Sequence, residues 1–267
     1  MNPADARSLK DGGLETRKEN LRLLLVRAGD GDASAQEALR ALVRDYPDYH
    51  RTLYSLALNR AEVFGDDSLK APLLASLADT RYNCQAWAAM GCAALGFREA
   101  VPGLLAMLNH SQEMAREQAV IALGELGDES VVPALIPVLQ DPISGMRERA
   151  AESLGMIGGD EALTALWDEF DNRRYYRIGY IASALSTFTP DVIPRLLEAA
   201  ERTDPDQRYW AAVALGSTGD DRAVPTLERL MANDRGATVF DGMVSVAAKK
   251  GLRTLRRIQA AIAARES

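Results

Sequence analysis

The chain has 267 residues, 47% of them hydrophobic and 26% charged, an ordinary globular balance that is long enough for one solenoid or two domains. Its net charge of −7 and pI near 5.1 count against a sequence-independent grip on a phosphate backbone, which needs a basic face. No segment approaches 18 consecutive apolar residues, so no transmembrane span is predicted. Cys84 and Cys92, on one helix, would stand about 12 Å apart at roughly 1.5 Å per residue, beyond disulfide reach. Free thiols and an N-terminal MNPADARSLKDGG without an apolar run predict a cytoplasmic protein with no secretory signal. Arg outnumbers Lys 26 to 5, which hints at a GC-rich bacterial genome.

Residues 1–13 are polar and end in Gly12-Gly13, a flexible tail. Residues 14–65 then read as an irregular helical cap. Leu21, Leu24, Leu25 and Ala28 keep helical spacing up to the break at Gly29-Asp30-Gly31-Asp32. Ala35, Ala38, Leu39 and Leu42 share one face of a second helix, which Asp45-Tyr46-Pro47 stops. A third helix is predicted from about Asp48 to Phe64, with Ser68 as N-cap of the next. From there to residue 267 a period of 31 residues takes over. Pro102 and Pro133 are 31 apart, as are Pro194 and Pro225, and Leu123-Gly124 and Leu154-Gly155 repeat at the same interval. A period of this size marks stacked repeats. Each unit is a helix pair, the first helix opened by proline (Thr164 takes its place between Pro133 and Pro194) and the second closed by Leu-Gly or its equivalent, Leu185-Ser186 and Cys92-Ala93, with Asp79, Ser111, Asp141, Asn172, Asp204 or Asp234 as N-caps between them. A sixth unit begins at Ala223 and ends in a long helix, where Gly242 and Gly251 predict weakening and a kink near Gly251.

The second helices share a register. With Arg116, Arg147 or Arg208 as position 0 (Gln85 and Ile178 in the other two copies), small or apolar residues recur at −1, +3, +6 and +7. At 100° per residue these cluster on one side, the stripe that a neighbouring unit covers. Nothing alternates with period 2, so no sheet is predicted. The strings REQAVIALGELGDESVVPALIPVL and RYWAAVALGSTGDDRAVPTLERL resemble the HEAT-like repeat family in its short form, also found in phycobilisome lyases. The resemblance covers about residues 68–250 and implies an all-α, right-handed α-solenoid of stacked antiparallel helix pairs. It also implies a structural repeated Arg, paired with an acid near the inter-repeat turn such as Asp128, Asp160 or Asp220.

The residues offer little chemistry. Histidines stand only at His50 and His110, too few for zinc, and no cofactor is expected. Deoxyhypusine hydroxylase, a HEAT-like enzyme, holds iron through repeated His-Glu pairs. Here His50 precedes Arg51 and His110 precedes Ser111, against that activity. HEAT-like DNA glycosylases would need a basic, aromatic groove. Cys84 sits near a helix N-terminus, which favours a thiolate, yet at core position −1. Gly29-x-Gly31 has no strand before it, so it is a linker.

Function is therefore sought where the copies differ. Position +1 reads Ala86, Glu117, Glu148, Gly179, Tyr209; position +2 reads Trp87, Gln118, Arg149, Tyr180, Trp210; position +5 reads Met90, Ile121, Glu152, Ser183, Val213. In a HEAT-like array these positions would line a concave face, acidic in its middle and aromatic toward its C-terminal half. The candidate site comprises Trp87, Glu117, Glu148, Arg149, Glu152, Tyr176, Tyr180, Tyr209 and Trp210, with Trp87 and Trp210 equally open to an inter-repeat packing role. The leading expectation is a non-enzymatic scaffold or adaptor that holds a partner protein or peptide, a basic segment among the candidates. The alternatives are a bilin lyase-like chromophore chaperone and a nucleic-acid binder using the C-terminal helix. That helix carries six cations against Glu266 from residue 249 on, a net +5 that leaves −12 on the rest. No membrane partner is expected and nucleic acid is disfavoured.

Overall fold

Proline placement marks where four of the helix pairs start. Pro102, Pro133, Pro194 and Pro225 all stand in a first helical turn, where a missing N–H leaves no bond unmade. A computed structural model describes residues 13–45, 70–79, 84–172 and 178–266. The tail before residue 13, the predicted cap helix 48–64, His50, Ser68, Tyr175 and Tyr176 lie outside these residues. Two compact units divide the chain, Met1–Gly127 and Asp128–Ser267.

In the first unit α1 (Leu14–Gly29) packs on α2 (Ala33–Asp45). Leu21, Leu24, Leu25 and Ala28 are buried with Ala35, Ala38 and Leu39. Asp32 makes the turn between them, its Oδ1 accepting from the amides of Ser34 and Ala35 at 2.9 and 3.1 Å. Two helix pairs follow, α3 (Lys70–Ala78) with α4 (Gln85–Ala94) and α5 (Val101–Met107) with α6 (Glu113–Leu126). The second helices α4 and α6 pack on each other.

The second unit repeats the scheme. A short α7 (Val132–Leu135) runs into a 3-10 segment, Ile136–Gln140, and pairs with α8 (Ser144–Ile157). Pro137 explains the break, because a proline inside a helix removes a hydrogen bond and crowds the preceding turn. Next come α9 (Asp160–Asn172) with α10 (Gly179–Ser186), α11 (Ile193–Ala199) with α12 (Pro205–Thr218), and α13 (Val224–Asn233) with α14 (Val244–Glu266). The second helices form a row, α8 on α10 on α12 on α14. Stacked antiparallel helix pairs of this kind are the α-solenoid architecture. Among the described residues no strand forms; a single antiparallel bridge joins Ala237 and Met243.

The predicted stripe is buried in each unit taken by itself. Ala115, Ala119, Ala122 and Leu123 are buried in α6, as are Met146, Ala150, Ser153 and Leu154 in α8 and Ala211, Ala214 and Leu215 in α12. Trimming one such leucine to alanine costs about 2–5 kcal/mol. The closing glycines set the spacing. A Cβ on Gly155 would stand 3.1 Å from Thr187 Oγ1, and one on Gly216 would stand 2.2 Å from the Gly251 Cα. At Gly251, the place of the predicted kink, the helix assignment of α14 is continuous, and Gly251 is where α14 meets α12 backbone to backbone. Gly242 lies outside the helix altogether, in the loop before it, at φ +109°.

The repeated Arg anchors on main-chain carbonyls, and where it also meets an acid, at Arg208, that acid is Asp234 and not Asp128, Asp160 or Asp220. Nη1 of Arg116 donates to the carbonyls of His110 (2.8 Å) and Ser111 (3.3 Å), that of Arg147 to Asp141 (2.7 Å) and Pro142 (3.2 Å), and that of Arg208 to Arg202 (2.8 Å) and Thr203 (2.7 Å). The carbonyls six and five residues back, left over where the first helix ends, are thereby satisfied. Gln85 Nε2 reaches the Asp79 carbonyl at 2.5 Å, so the first copy keeps the anchor with a different residue. Asp128 and Asp220 instead accept from the amides of Ser130 and Arg222. Of the turn residues expected as N-caps, Asp204 is one, accepting from the Asp206 amide. Asp141 and Asp234 close Asx turns onto Ile143 and Gly236. At the second copy His110 Nδ1 takes that part for Ser111, accepting from Gln112 at 3.1 Å.

Candidate functional site

Where two second helices lie side by side, their outer registers leave a groove. In the second unit Glu148, Arg149, Glu152 and Met156 of α8 face Tyr180, Ser183, Ala184 and Thr187 across a groove of about 420 Å³. Small residues on the α10 side leave it room: Ser183 at +5 and Ala184 at +6. The Thr187 hydroxyl floors one end, within 2.9 Å of the Gly155 carbonyl and 2.8 Å of the Ala184 carbonyl, and ties α10 to α8.

Four of the nine predicted site residues thus meet in one place: Glu148, Arg149, Glu152 and Tyr180. Arg149 Nη1 sits 2.9 Å from Glu152 Oε2, one turn on, with both side chains largely exposed. Glu148 is exposed and has no ion-pair partner among the described residues. Tyr180 is half-buried, its ring forming the opposite wall. The groove therefore combines two carboxylates, one guanidinium that half-neutralises them, an aromatic ring and an apolar Met156 that is 55% exposed.

The other five do not join it. Trp87 and Glu117 are half-buried in the first unit. A groove of about 230 Å³ there is lined instead by Met90, Ala93, Ala94, Gln118, Ile121, Ala122 and Glu125. Tyr176 lies outside the described residues. Tyr209 is half-buried and meets the Trp210 ring edge-on, centroids 4.9 Å apart at 77°. Trp210 is only 9% exposed, its ring lying over Gly179 at the start of α10. Of the two roles open for Trp210, packing is the one this burial describes. It fixes the helix start that carries Tyr180.

Met156 and Thr187 were missed. Both stand at +9, one turn beyond +5, and Ala94 and Glu125 hold the same register in the first-unit groove. Extending the series +1, +5 by four more residues would have found them.

Neither cysteine offers a nucleophile at the surface: both are buried, and burial pushes the Cys92 thiol up to about 12. Among the described residues no group of three or more His, Cys, Asp or Glu is placed to hold a metal ion. No helix among them is long and apolar enough to cross a membrane.

The family model for HEAT repeats matches residues 69–142, 101–186 and 171–242. The chain belongs to the HEAT repeat family. No curated protein matches it. Among solved structures, YibA of E. coli is similar in fold, with a TM-score of 0.54 and 16% identity over 94% of this chain and 91% of that one. The complex of CpcE and CpcF of phycocyanin lyase from Nostoc is similar at TM-score 0.43 and 22% identity (88% and 94% covered). Human deoxyhypusine hydroxylase is similar at TM-score 0.38 and 20% identity (94% of each). At such identities the likeness speaks of fold and not of chemistry. Within this HEAT array the two grooves use corresponding registers of their helix pairs and differ in what stands there: Met90, Ile121 and three alanines dominate one beside Gln118 and Glu125, while Glu148, Arg149, Glu152 and Tyr180 stand in the other beside Met156 and Ala184.

Proposed function

We propose that this HEAT array is a binding module rather than an enzyme, and that it seats a basic side chain of a partner protein or peptide in the α8–α10 groove. The observation that carries this is the convergence of Glu148, Glu152 and Tyr180 on one open groove beside the exposed Met156. A guanidinium or ammonium there can pair with Glu148, draw Glu152 from its exposed bond to Arg149, and lie against the Tyr180 ring. Its aliphatic stem can cover Met156. Exposed Arg149 and Glu152 lose little by exchanging partners, since surface pairs are worth about 0–1 kcal/mol.

The test uses immobilised protein and an array of 12-residue peptides graded in net charge. Basic peptides should be retained, with Glu148→Gln/Glu152→Gln and Tyr180→Ala each weakening the best binder about tenfold, in line with roughly 1.4 kcal/mol for one charged contact. Retention of neutral and basic peptides alike, or binding untouched by these substitutions, would remove the assignment.

A further inference from the structure

The loop from Asp234 to Met243 is built more firmly than a connection needs. Ala237 bridges Met243, and the Thr238 amide donates to the Gly242 carbonyl at 2.9 Å. Thr238 Oγ1 accepts from the amides of Asp241 (2.7 Å) and Gly242 (2.8 Å), and Gly242 supplies the positive φ that closes the turn. The tip so fixed is apolar. Val239 is 74% exposed and Phe240 62% exposed, where turns ordinarily carry polar residues.

The turn leads directly into α14. This helix buries Val244, Ala247, Ala248, Leu252 and Leu255 against the unit. At 100° per residue the opposite side holds Val246, Lys249, Lys250, Arg253, Arg256 and Arg257, all exposed. Met243 (37% exposed) and Val246 (47%) join the apolar tip to the cationic stripe. Arg235 is exposed at the base of the loop, Asp241 stands within the turn, and Arg256 lies 3.5 Å from Glu228.

We infer that this turn and the outward face of α14 dock on the surface of an anionic lipid bilayer. A projecting aliphatic and aromatic tip beside a row of cations is what an interface of acyl chains under phosphate headgroups selects. Nucleic acid would use the cations but not Val239, Met243 and Val246, which cannot stack on a base. The remaining −12 of charge is repelled by the same bilayer, so only this face can approach it. Contact is peripheral, with no segment crossing.

The experiment is co-sedimentation of the full chain with vesicles of phosphatidylcholine and phosphatidylserine (7:3), against vesicles of phosphatidylcholine alone. Binding should appear only with the anionic vesicles and weaken with salt. Lys249→Gln/Lys250→Gln/Arg253→Gln should lower the partition coefficient by roughly 100-fold, and Val239→Ser/Phe240→Ser by several-fold, with far-UV circular dichroism unchanged. Three results would each overturn the inference: no sedimentation with anionic vesicles at low salt, no effect of the tip substitutions, or displacement from vesicles by a short DNA duplex at equal phosphate.

Discussion

Trp210 and Gly179 should behave as one object. The indole atoms Cζ3 and Cη2 stand 3.0 and 3.1 Å from the place where a Cβ on residue 179 would be. Gly179→Ala therefore forces the ring back by a few tenths of an ångström in a packed site, an overpacking cost of about 1–3 kcal/mol. Alanine's better helix propensity offsets up to about 1 kcal/mol of that, leaving a net loss near 1 kcal/mol. Trp210→Phe removes those two atoms, because a phenyl ring is shorter than an indole. It also removes Nε1, which is buried without a hydrogen-bond partner among the described residues. Loss of ring contact and relief of a stranded N–H nearly cancel, for a net of about 0–1.5 kcal/mol. In the double variant the Cβ has room, so the two losses should fall short of additivity by about 1 kcal/mol. Urea unfolding of the four proteins at 25 °C measures this directly from the midpoints, given equal slopes. Coupling below about 0.3–0.5 kcal/mol would show that the contact carries no strain, and the packing role argued for Trp210 would fall. Trp210→Ala is unsuited to testing partner binding, since emptying this site costs about 3–5 kcal/mol of fold.

Gly216→Ala places a Cβ 2.2 Å from the Gly251 backbone, so no rotamer change can relieve it; α14 must move, and the loss in urea should exceed about 3 kcal/mol. Arg208 binds Asp234 through Nε and Nη2 at 2.7 and 3.1 Å and holds that carboxyl below the usual carboxylate range. A depressed folded pKa means the pair's stabilisation is present above the unfolded value near 4 and is lost as pH falls through the folded one. The deficit of Arg208→Gln, roughly 2–3 kcal/mol at pH 7, should accordingly shrink in thermal melts below about pH 4. A deficit that grows on acidification would contradict the pairing. Both cysteines should resist a disulfide reagent at pH 8 in the native protein and react fully in denaturant, as their burial requires. Fast reaction of either thiol in the native state would place it at the surface.

The repeat was legible because it is made of residues whose reason is local. A proline in a first turn, small residues at +3 and a leucine at +7 state their places through sterics and period alone, and the structure puts them there. The partners of Arg116, Arg147 and Arg208 were not legible. A guanidinium can reach either a side-chain acid or a main-chain carbonyl, and the carbonyl six residues back leaves no mark in the sequence. Gly251 misled for a similar reason: glycine in a helix signals weakness if it stands alone and close approach if another backbone lies against it, and only the position of Gly216 decides. The groove residues Glu148, Arg149, Glu152 and Tyr180 were found because register alone selects them. Trp210 stood at the right register but met Gly179, a neighbour 31 residues away, and became packing.

Register also says why the groove is where binding can change. On a helical wheel the core positions −1, +3, +6 and +7 centre roughly 130° from +1, +2, +5 and +9. Residues at +5 and +9 can therefore be exchanged between copies at a cost near ±0.5 kcal/mol each, the usual range for surface positions. The same frame lines one groove with Met90, Ala94 and Ile121 and another with Glu152, Met156 and Ser183. The consequence can be measured. Glu148→Ala with Glu152→Met gives α8 the +1 and +5 residues of α4, and the protein should melt within about 2 °C of the parent while losing its preference for basic peptides. A large fall in melting temperature would mean that the acidic residues belong to the scaffold. An unchanged preference would mean that the groove does not choose the ligand.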